Sequence, residues 1–134
     1  STVTLNNGKS FVLYSIHPVP PTHFEDLPDN EGKQEVAMIN VGEKVEGRKL
    51  PAIVAGDIND VSWGATDKLT QTKDILHDVR VGRGFYNSYN ANNILMRWPL
   101  DHFFVTKEFE LVTLERMPTI GSDHFPMYAK FVIN

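Results

Sequence analysis

An apolar run from Leu50 to Ala55 is the feature that most constrains how this chain can fold. Ile53 and Val54 lie between small residues in it, a pattern typical of a central β-strand. The polar tetrapeptide Gly56-Asp57-Ile58-Asn59 follows directly, and its glycine lets the backbone turn sharply off the strand end. Because α/β folds hold their chemistry where strands meet loops, the run predicts a sheet with a site at its edge.

Segments on both sides of this run extend the sheet and add helices. A hairpin turn is predicted at Asn6–Lys9, since Asn-Gly readily supplies positive φ angles. Apolar patterns predict strands at Thr2–Leu5, Ser10–His17, Leu100–Thr106, Phe109–Leu114 and Pro126–Ile133. Helical periodicity predicts helices at about Glu31–Glu46 and at Thr66–Val79. This order indicates an α/β chain of the α+β type, a mixed β-sheet with helices on one face.

Composition narrows the class of protein without deciding its function. At 134 residues the chain is expected to form one domain. The net charge of −4 disfavours a protein that coats nucleic acid by charge alone, although it allows an enzyme that grips one phosphate. The chain has no cysteine, which rules out disulfides and thiolate metal sites. No apolar run approaches the ~20 residues of a membrane helix, and the abrupt strand-like start predicts that further sequence precedes Ser1.

Two polar motifs carry the residue types of a catalytic site. Gly121-Ser122-Asp123-His124 places a carboxylate beside an imidazole, so one side chain can hold a metal or water while the other moves a proton. In Gly56-Asp57-Ile58-Asn59, the residues Asp57 and Asn59 are two apart and point to the same side of an extended segment. They would offer an acceptor and a donor to a phosphate oxygen or a hydrated cation. An Asx turn that only satisfies the local backbone explains this tetrapeptide equally well.

Asp101 lies within an apolar strand, where burial of a carboxylate is costly unless it is hydrogen-bonded. We expect it to accept a hydrogen bond from His124 and so to fix the tautomer of that ring. His102 should point to the opposite face of the strand. His17 ends a strand, and taken alone it fits a structural role better than a catalytic one. Exposed positions are expected for the two remaining histidines, His23 and His77.

These motifs, in this order and spacing, resemble the last three motifs of the endonuclease/exonuclease/phosphatase superfamily. The superfamily includes DNase I-like nucleases, abasic-site endonucleases, inositol-phosphate phosphatases and sphingomyelinases. The run His17-Pro18-Val19-Pro20-Pro21 also resembles its histidine motif. Residues 1–134 are therefore expected to be the C-terminal portion of a single domain, half of a DNase I-like two-sheet sandwich. This run and Arg97–Asp101 look most like bacterial members behind N-terminal membrane segments, so the parent protein is expected to be membrane-anchored in a bacterium.

The resemblance implies a metal-dependent phosphoesterase that hydrolyses a phosphodiester or phosphomonoester. In that interpretation His124 is the base that deprotonates the attacking water, and Asp101 orients and polarises that water. Asp57 and Asn59, assisted by His17, position the water or stabilise the phosphorus centre. Asp123 would be the metal-binding residue and would lie near the Mg²⁺ or Mn²⁺ ion. The substrate class stays open among nucleic acids, phospholipids and small phosphoesters.

The chain also departs from the family pattern, which includes an early Asn and a metal-binding Glu. Before His17 the only asparagines, Asn6 and Asn7, lie on a predicted turn, and the first glutamate is Glu25. The isolated chain is therefore expected to be catalytically incomplete. An isolated half-sandwich would also expose the apolar inner face of its sheet, which predicts self-association. The alternative function is a non-catalytic phosphate- or partner-binding domain derived from the same fold.

Overall fold

The strands of this chain form a five-stranded mixed sheet and a separate two-stranded antiparallel sheet. The structure is a computed structural model, and it describes residues 1–18, 31–58, 75–82, 87–95 and 100–134. Its elements are β1 (Thr2–Thr4), β2 (Ser10–Ile16), α1 (Glu31–Glu46), β3 (Ala52–Asp57), β4 (His77–Asp78), β5 (Asp101–Val105), β6 (Phe109–Arg116) and β7 (Met127–Ile133).

The larger sheet has the order β1-β2-β3-β5-β4. β2 and β3 are parallel, whereas the other neighbouring pairs are antiparallel. A parallel pair needs a long crossover, and α1 lies between β2 and β3 in the chain. The second sheet is the antiparallel pair of β6 and β7, whose register shifts between Leu111 and Thr113. The predicted mixed sheet is thus confirmed.

The register of the sheet brings three predicted site residues together at one end of its strands, which we call the edge of the sheet. Asp57, at the end of β3, pairs with Asp101, at the start of β5. Ile16 pairs with Gly56, so His17 follows the same edge. A Cβ at Gly56 would lie 1.8 Å from the carbonyl oxygen of Ile16, and the residue has a φ of 152°. Only glycine therefore permits this close approach of β2 and β3.

Apolar side chains pack on both faces of the larger sheet. One cluster joins α1 to the sheet and contains the buried residues Met38, Val45, Ala52, Val54, Ile58, Leu76 and Phe104. On the opposite face, Ile53, Val79 and Val105 pack with partly buried side chains that include Phe109 and Phe131 of the β6–β7 hairpin. This hairpin covers part of the inner face that an isolated half-sandwich is expected to expose.

Helix α1 matches the predicted bounds, and its buried side chains are spaced as an amphipathic helix requires. Met38 and Val45 are buried and Val41 packs against them, a spacing of three to four residues. Val36 and Ile39, which the periodicity places on the same apolar face, are exposed instead. No helix in the described ranges is both long and apolar enough to cross a membrane.

The predicted second helix, Thr66–Val79, is wrong at its C-terminal end. His77 and Asp78 form β4 and pair with Val105 and Phe104 of β5. The apolar spacing that suggested a helix arises because Leu76 and Val79 bury in the clusters on opposite faces of the sheet. Residues 66–74 lie outside the described ranges.

Candidate active site

Four of the six predicted site residues converge at the end of the sheet where β3 finishes and β5 begins. Asp57 and Asp101 belong to these strands, and His17 follows β2. His124 comes from the segment that precedes β7. Asn59 lies outside the described residues. Asp123 is exposed and lies beside His124 in the chain, and its Oδ1 accepts a hydrogen bond from Ser122 Oγ at 3.4 Å.

The shortest contact of the site joins His124 to Asp101. His124 Nδ1 lies 2.8 Å from Asp101 Oδ2, so the predicted hydrogen bond is confirmed. A carboxylate can only accept, so Nδ1 carries the proton and donates it to Asp101. The tautomer follows from this network of contacts. In the neutral ring Nε2 is then left as an acceptor, which is the form a general base requires.

Asp57 lies between the two histidines. Its Oδ2 is 3.5 Å from His124 Nε2 and 3.7 Å from His17 Nε2. The Asp57 side chain is 15% exposed, whereas that of His17 is 72% exposed. His17 therefore meets solvent at the rim, and Asp57 adds a negative charge beside the basic nitrogen of His124.

The pKa of His124 is raised above its ordinary value of 6.5. Burial of the ring favours its neutral form and lowers the pKa. The hydrogen bond to Asp101 and the negative charges of Asp101, Asp57 and Asp123 each raise the pKa, and together they outweigh the effect of burial. A proton taken up by His124 is thus stabilised by carboxylates on both sides of the ring.

A cavity of about 400 Å³ opens beside this pair. It is lined by the polar groups of Asp101 and His124 and by an apolar set that includes Ala55, Phe103, Ile120, Phe125 and Met127. Water in this cavity would lie close to the His124 ring, which could accept a proton from it at Nε2. The arrangement therefore provides a base, a carboxylate that fixes the tautomer of that base and a second carboxylate beside the transferred proton.

The described residues do not form a metal centre. No group of three or more His, Cys, Asp or Glu side chains in these ranges could hold an ion. Asp123 supplies a single exposed carboxylate, and one such ligand does not make the oxygen shell that Mg²⁺ requires.

Sequence reasoning predicted no catalytic residue in Asn87–Asn93, although this segment lies directly against His124. Tyr89 and His124 form an isolated antiparallel bridge, and their ring centroids are 4.9 Å apart. Ser88 is fully buried and contacts the backbone of Asp101. The segment has neither helical nor strand periodicity, so the local pattern gave no signal for these contacts.

His102 and His77 take no part in the contact between Asp101 and His124, although His102 is among the residues that line the cavity. His102 is buried on the other face of β5, as predicted, and its Nδ1 lies 3.3 Å from Asp78 Oδ2. Arg80 contacts the His102 ring and forms an ion pair with Asp78 at 3.0 Å. His77 is exposed, on β4 rather than on a helix. His23 is outside the described residues.

Comparison with known proteins identifies the family. Among solved structures, a mannosyl-6-phosphatase from Bacteroides thetaiotaomicron is 22% identical, with a TM-score of 0.66 over 96% of this chain and 53% of its own. The human Nocturnin catalytic domain is 18% identical, with a TM-score of 0.68 over 99% and 51%. Danio rerio TDP2, complexed with a single-strand DNA product, is 18% identical, with a TM-score of 0.69 over 98% and 59%.

These likenesses confirm the predicted DNase I-like α+β fold. The chain spans about half the length of the solved structures it matches. No curated protein matches it in sequence. A protein-family model, that of the endonuclease/exonuclease/phosphatase family, matches residues 2–124. The chain therefore belongs to the endonuclease/exonuclease/phosphatase family.

Proposed function

We propose that this chain carries the general-base side of a phosphoesterase active site. One observation carries the proposal: His124 donates from Nδ1 to Asp101 at 2.8 Å and its Nε2 lies 3.5 Å from Asp57, while Asp101 and His124 both line a cavity. The family and its solved members, among them a phosphatase and a protein bound to a DNA product, support phosphate esters as the substrate class.

In the proposed reaction a water attacks phosphorus while His124 Nε2 takes one of its protons. The new bond joins the water oxygen to phosphorus, and the bond from phosphorus to the ester oxygen breaks. The leaving alkoxide then takes a proton from solvent or from the imidazolium. Asp101 and Asp57 stabilise that imidazolium, and a base in this position contributes typically ~10²–10⁴ in rate.

Two predicted roles extend beyond these contacts. His17, which lies 3.7 Å from Asp57, would help to hold a phosphoryl oxygen at the exposed rim. We also propose that hydrolysis depends on Mg²⁺ or Mn²⁺, which would neutralise charge on the phosphate, with Asp123 as the one candidate ligand among the described residues. Since those residues do not complete a metal centre, the remaining ligands would lie outside the described ranges, in this chain or in its parent protein.

The test is hydrolysis of a chromogenic phosphodiester and of the matching monoester, with and without Mg²⁺ or Mn²⁺. Both this chain and its full-length parent should be assayed, because the chain is expected to be incomplete. His124→Ala should lower metal-dependent turnover in the parent by ~10²–10⁴. His77→Ala is the matched control, since His77 is an exposed histidine on β4 away from the site. A His124→Ala variant as active as the unsubstituted parent would contradict the proposal.

The second candidate is a domain that binds phosphate or a partner without turnover. The lack of a metal-binding cluster among the described residues favours it. Phosphate binding by the parent, lost in His124→Ala and accompanied by no hydrolysis of either ester at any metal concentration, would select this function.

We further propose that the isolated chain self-associates. The outer face of the β6–β7 hairpin exposes Tyr128 and Val132, and Val112 of β6 is exposed as well. They share the surface of the hairpin with the exposed charged residues Glu110, Glu115 and Lys130, and exposed apolar side chains of this kind can take part in association. Sedimentation at increasing concentration should show species larger than one chain, and Val132→Lys should shift them towards the monomer. A single monomeric species at high concentration would contradict this proposal.

A further inference from the structure

Asp101 and His124, which together form the proposed general base, come from separate parts of the structure. Asp101 is held in β5, whereas His124 ends a stretch, Met117–Asp123, in which every residue is exposed. An exposed stretch of this kind has few contacts that fix its position. The β6–β7 pairing and the bond from the Met117 N–H to the carbonyl oxygen of Pro126 fix the ends of this stretch. A third element bonded to both Asp101 and the neighbours of His124 would fix the 2.8 Å contact itself.

Ser88 makes that connection. Its Oγ accepts a hydrogen bond from the backbone N–H of Asp101 at 3.0 Å. Its carbonyl oxygen accepts one from the N–H of Phe125, the neighbour of His124, at 2.7 Å. Ser88 is 0% exposed, so water cannot replace either bond.

The residues around Ser88 extend the connection on the His124 side. Ala91 N–H donates to the carbonyl oxygen of Asp123 at 2.7 Å, so the segment pairs with both neighbours of His124. Arg116 donates to the carbonyl oxygen of Asn87 at 3.2 Å. These contacts are made by the backbone of Asn87–Ala91, whereas the link to Asp101 among the described residues is made by the hydroxyl of Ser88.

We propose that Ser88 is a positioning residue, whose hydroxyl holds Asp101 in hydrogen-bonding register with His124. The inference rests on the proposed function for its catalytic consequence, but the geometry that it predicts can be measured without turnover. Ser88→Ala removes the link to Asp101 and leaves the backbone bond to Phe125 in place. It should therefore loosen the Asp101–His124 contact while the fold persists.

Thr106 provides a matched control at the far end of the same strands. It is also 0% exposed, and its Oγ1 accepts a hydrogen bond from the backbone N–H of Ala52 at 3.1 Å. Thr106→Val removes a buried hydroxyl that satisfies a strand N–H, as Ser88→Ala does, without touching the site. A purely structural role for Ser88 predicts the same outcome for the two variants.

The first readout is the tautomer of His124 in this chain, from long-range proton–nitrogen NMR correlations of ¹⁵N-histidine at a pH where the ring is neutral. The hydrogen bond to Asp101 predicts the Nδ1–H tautomer, whereas free histidine favours Nε2–H. We expect Ser88→Ala to shift His124 towards Nε2–H and Thr106→Val to leave it unchanged. Retention of Nδ1–H in folded Ser88→Ala, or Nε2–H in the unsubstituted chain, would overturn the inference.

The second readout is turnover by the full-length parent at a temperature where all variants are folded. Ser88→Ala should lower kcat about 10–100-fold with little change in KM, since misplacement of a base by ~1 Å has that order of effect. An unchanged kcat would overturn the inference. If the unsubstituted parent hydrolyses no phosphoester, the proposed function fails, and the tautomer comparison still decides whether Ser88 positions Asp101.

Discussion

Two Asp–His contacts lie on opposite faces of β5, at neighbouring positions, and they differ in almost every physical respect. Asp101 meets His124 at the open edge of the sheet, beside a cavity. His102, the next residue, is 4% exposed and meets Asp78 within the fold, where its ring stacks on Phe104. The same pair of residue types is thus placed once in contact with solvent and once in the interior.

The difference in charge balance explains what each pair can do. Arg80 forms an ion pair with Asp78 and contacts His102, so the buried carboxylate has a permanent cation beside it. At the open edge, Asp101, Asp57 and Asp123 all surround one imidazole and raise its pKa. The first arrangement holds its charges fixed and stabilises the fold, whereas the second favours the uptake of a proton.

The largest expected effect is that substitution of His124 lowers activity whereas substitution of His102 lowers stability. His124→Ala should lower kcat/KM of the active parent by ~10²–10⁴ with little loss of folding stability, because it removes the base at an open edge. His102→Ala should lower stability and leave turnover per folded molecule close to normal. Activity assays and urea unfolding of the same two preparations provide the measurement. Equal losses of activity in both variants would mean that the two faces of β5 are not functionally distinct.

The second effect is on stability and concerns the buried pair directly. Asp78→Asn should cost ~3 kcal/mol of unfolding free energy, because it breaks the buried ion pair between Asp78 and Arg80. Asp123→Asn is the matched control, since Asp123 is exposed, and it should change stability by less than ~0.5 kcal/mol. Equal unfolding midpoints for the two variants would show that the buried pair does not stabilise the fold.

The third effect is the acid sensitivity of the same pair. Burial disfavours the charged form of Asp78, but its hydrogen bonds to His102 and Arg80 prevail and lower its pKa from 3.8 to about 2. A carboxyl with a depressed folded pKa contributes stability that is present above its unfolded pKa and is lost as the pH falls towards the folded pKa. Between pH 3.8 and about 2 the chain should therefore lose ~2 kcal/mol from this group.

Unfolding curves across that pH window test the third effect. In Asp78→Asn the contribution of this group is missing at every pH, so the free energy of unfolding should fall less steeply with acid than in the unsubstituted chain. Parallel pH profiles for the two proteins would assign the acid loss to other carboxylates.

Local sequence patterns predicted the parts of the molecule that local physics determines. Helix α1 and the strand ends follow from apolar periodicity and from Gly56, and they bring Asp57 next to Asp101. The partnership of Asp101 with His124 was also predictable, because a carboxylate within an apolar strand needs a donor. The resemblance to a known family supplied the roles of the remaining polar residues.

The parts that sequence reasoning missed depend on contacts between distant segments. β4 has only two residues, and its extended form comes from pairing with β5, more than twenty residues away. Ser88 carries no motif, and its importance comes from bonds to residues 13 and 37 positions later. Conversely, Asp123 belongs to a recognisable motif but is exposed, and no metal cluster forms around it among the described residues. The pairing of β4 and the bonds of Ser88 join distant segments, so a short window of sequence gives no signal for them. The exposure of Asp123 likewise depends on the fold and not on its motif.

The smallest effect expected is a shift of the pH–rate profile, and it separates the charge of Asp101 from its hydrogen bond. The base must be neutral to act, so activity should rise with pH through the raised pKa of His124. Asp101→Asn keeps an oxygen that can accept from Nδ1 but removes the negative charge. The acidic limb of kcat/KM should then move to lower pH, while the plateau falls because the imidazolium is less stabilised.

The same raised pKa has a consequence for stability with the opposite pH sign from that of Asp78. A histidine whose folded pKa exceeds its unfolded value stabilises the fold below the unfolded pKa, and that contribution is lost as the pH rises through the folded pKa. Solvent screening keeps this contribution small at an open edge. Asp101→Asn should therefore flatten stability around neutral pH while it shifts the rate profile. If the acidic limb does not move, the charge of Asp101 does not control the base, and only its hydrogen bond to His124 can matter for catalysis.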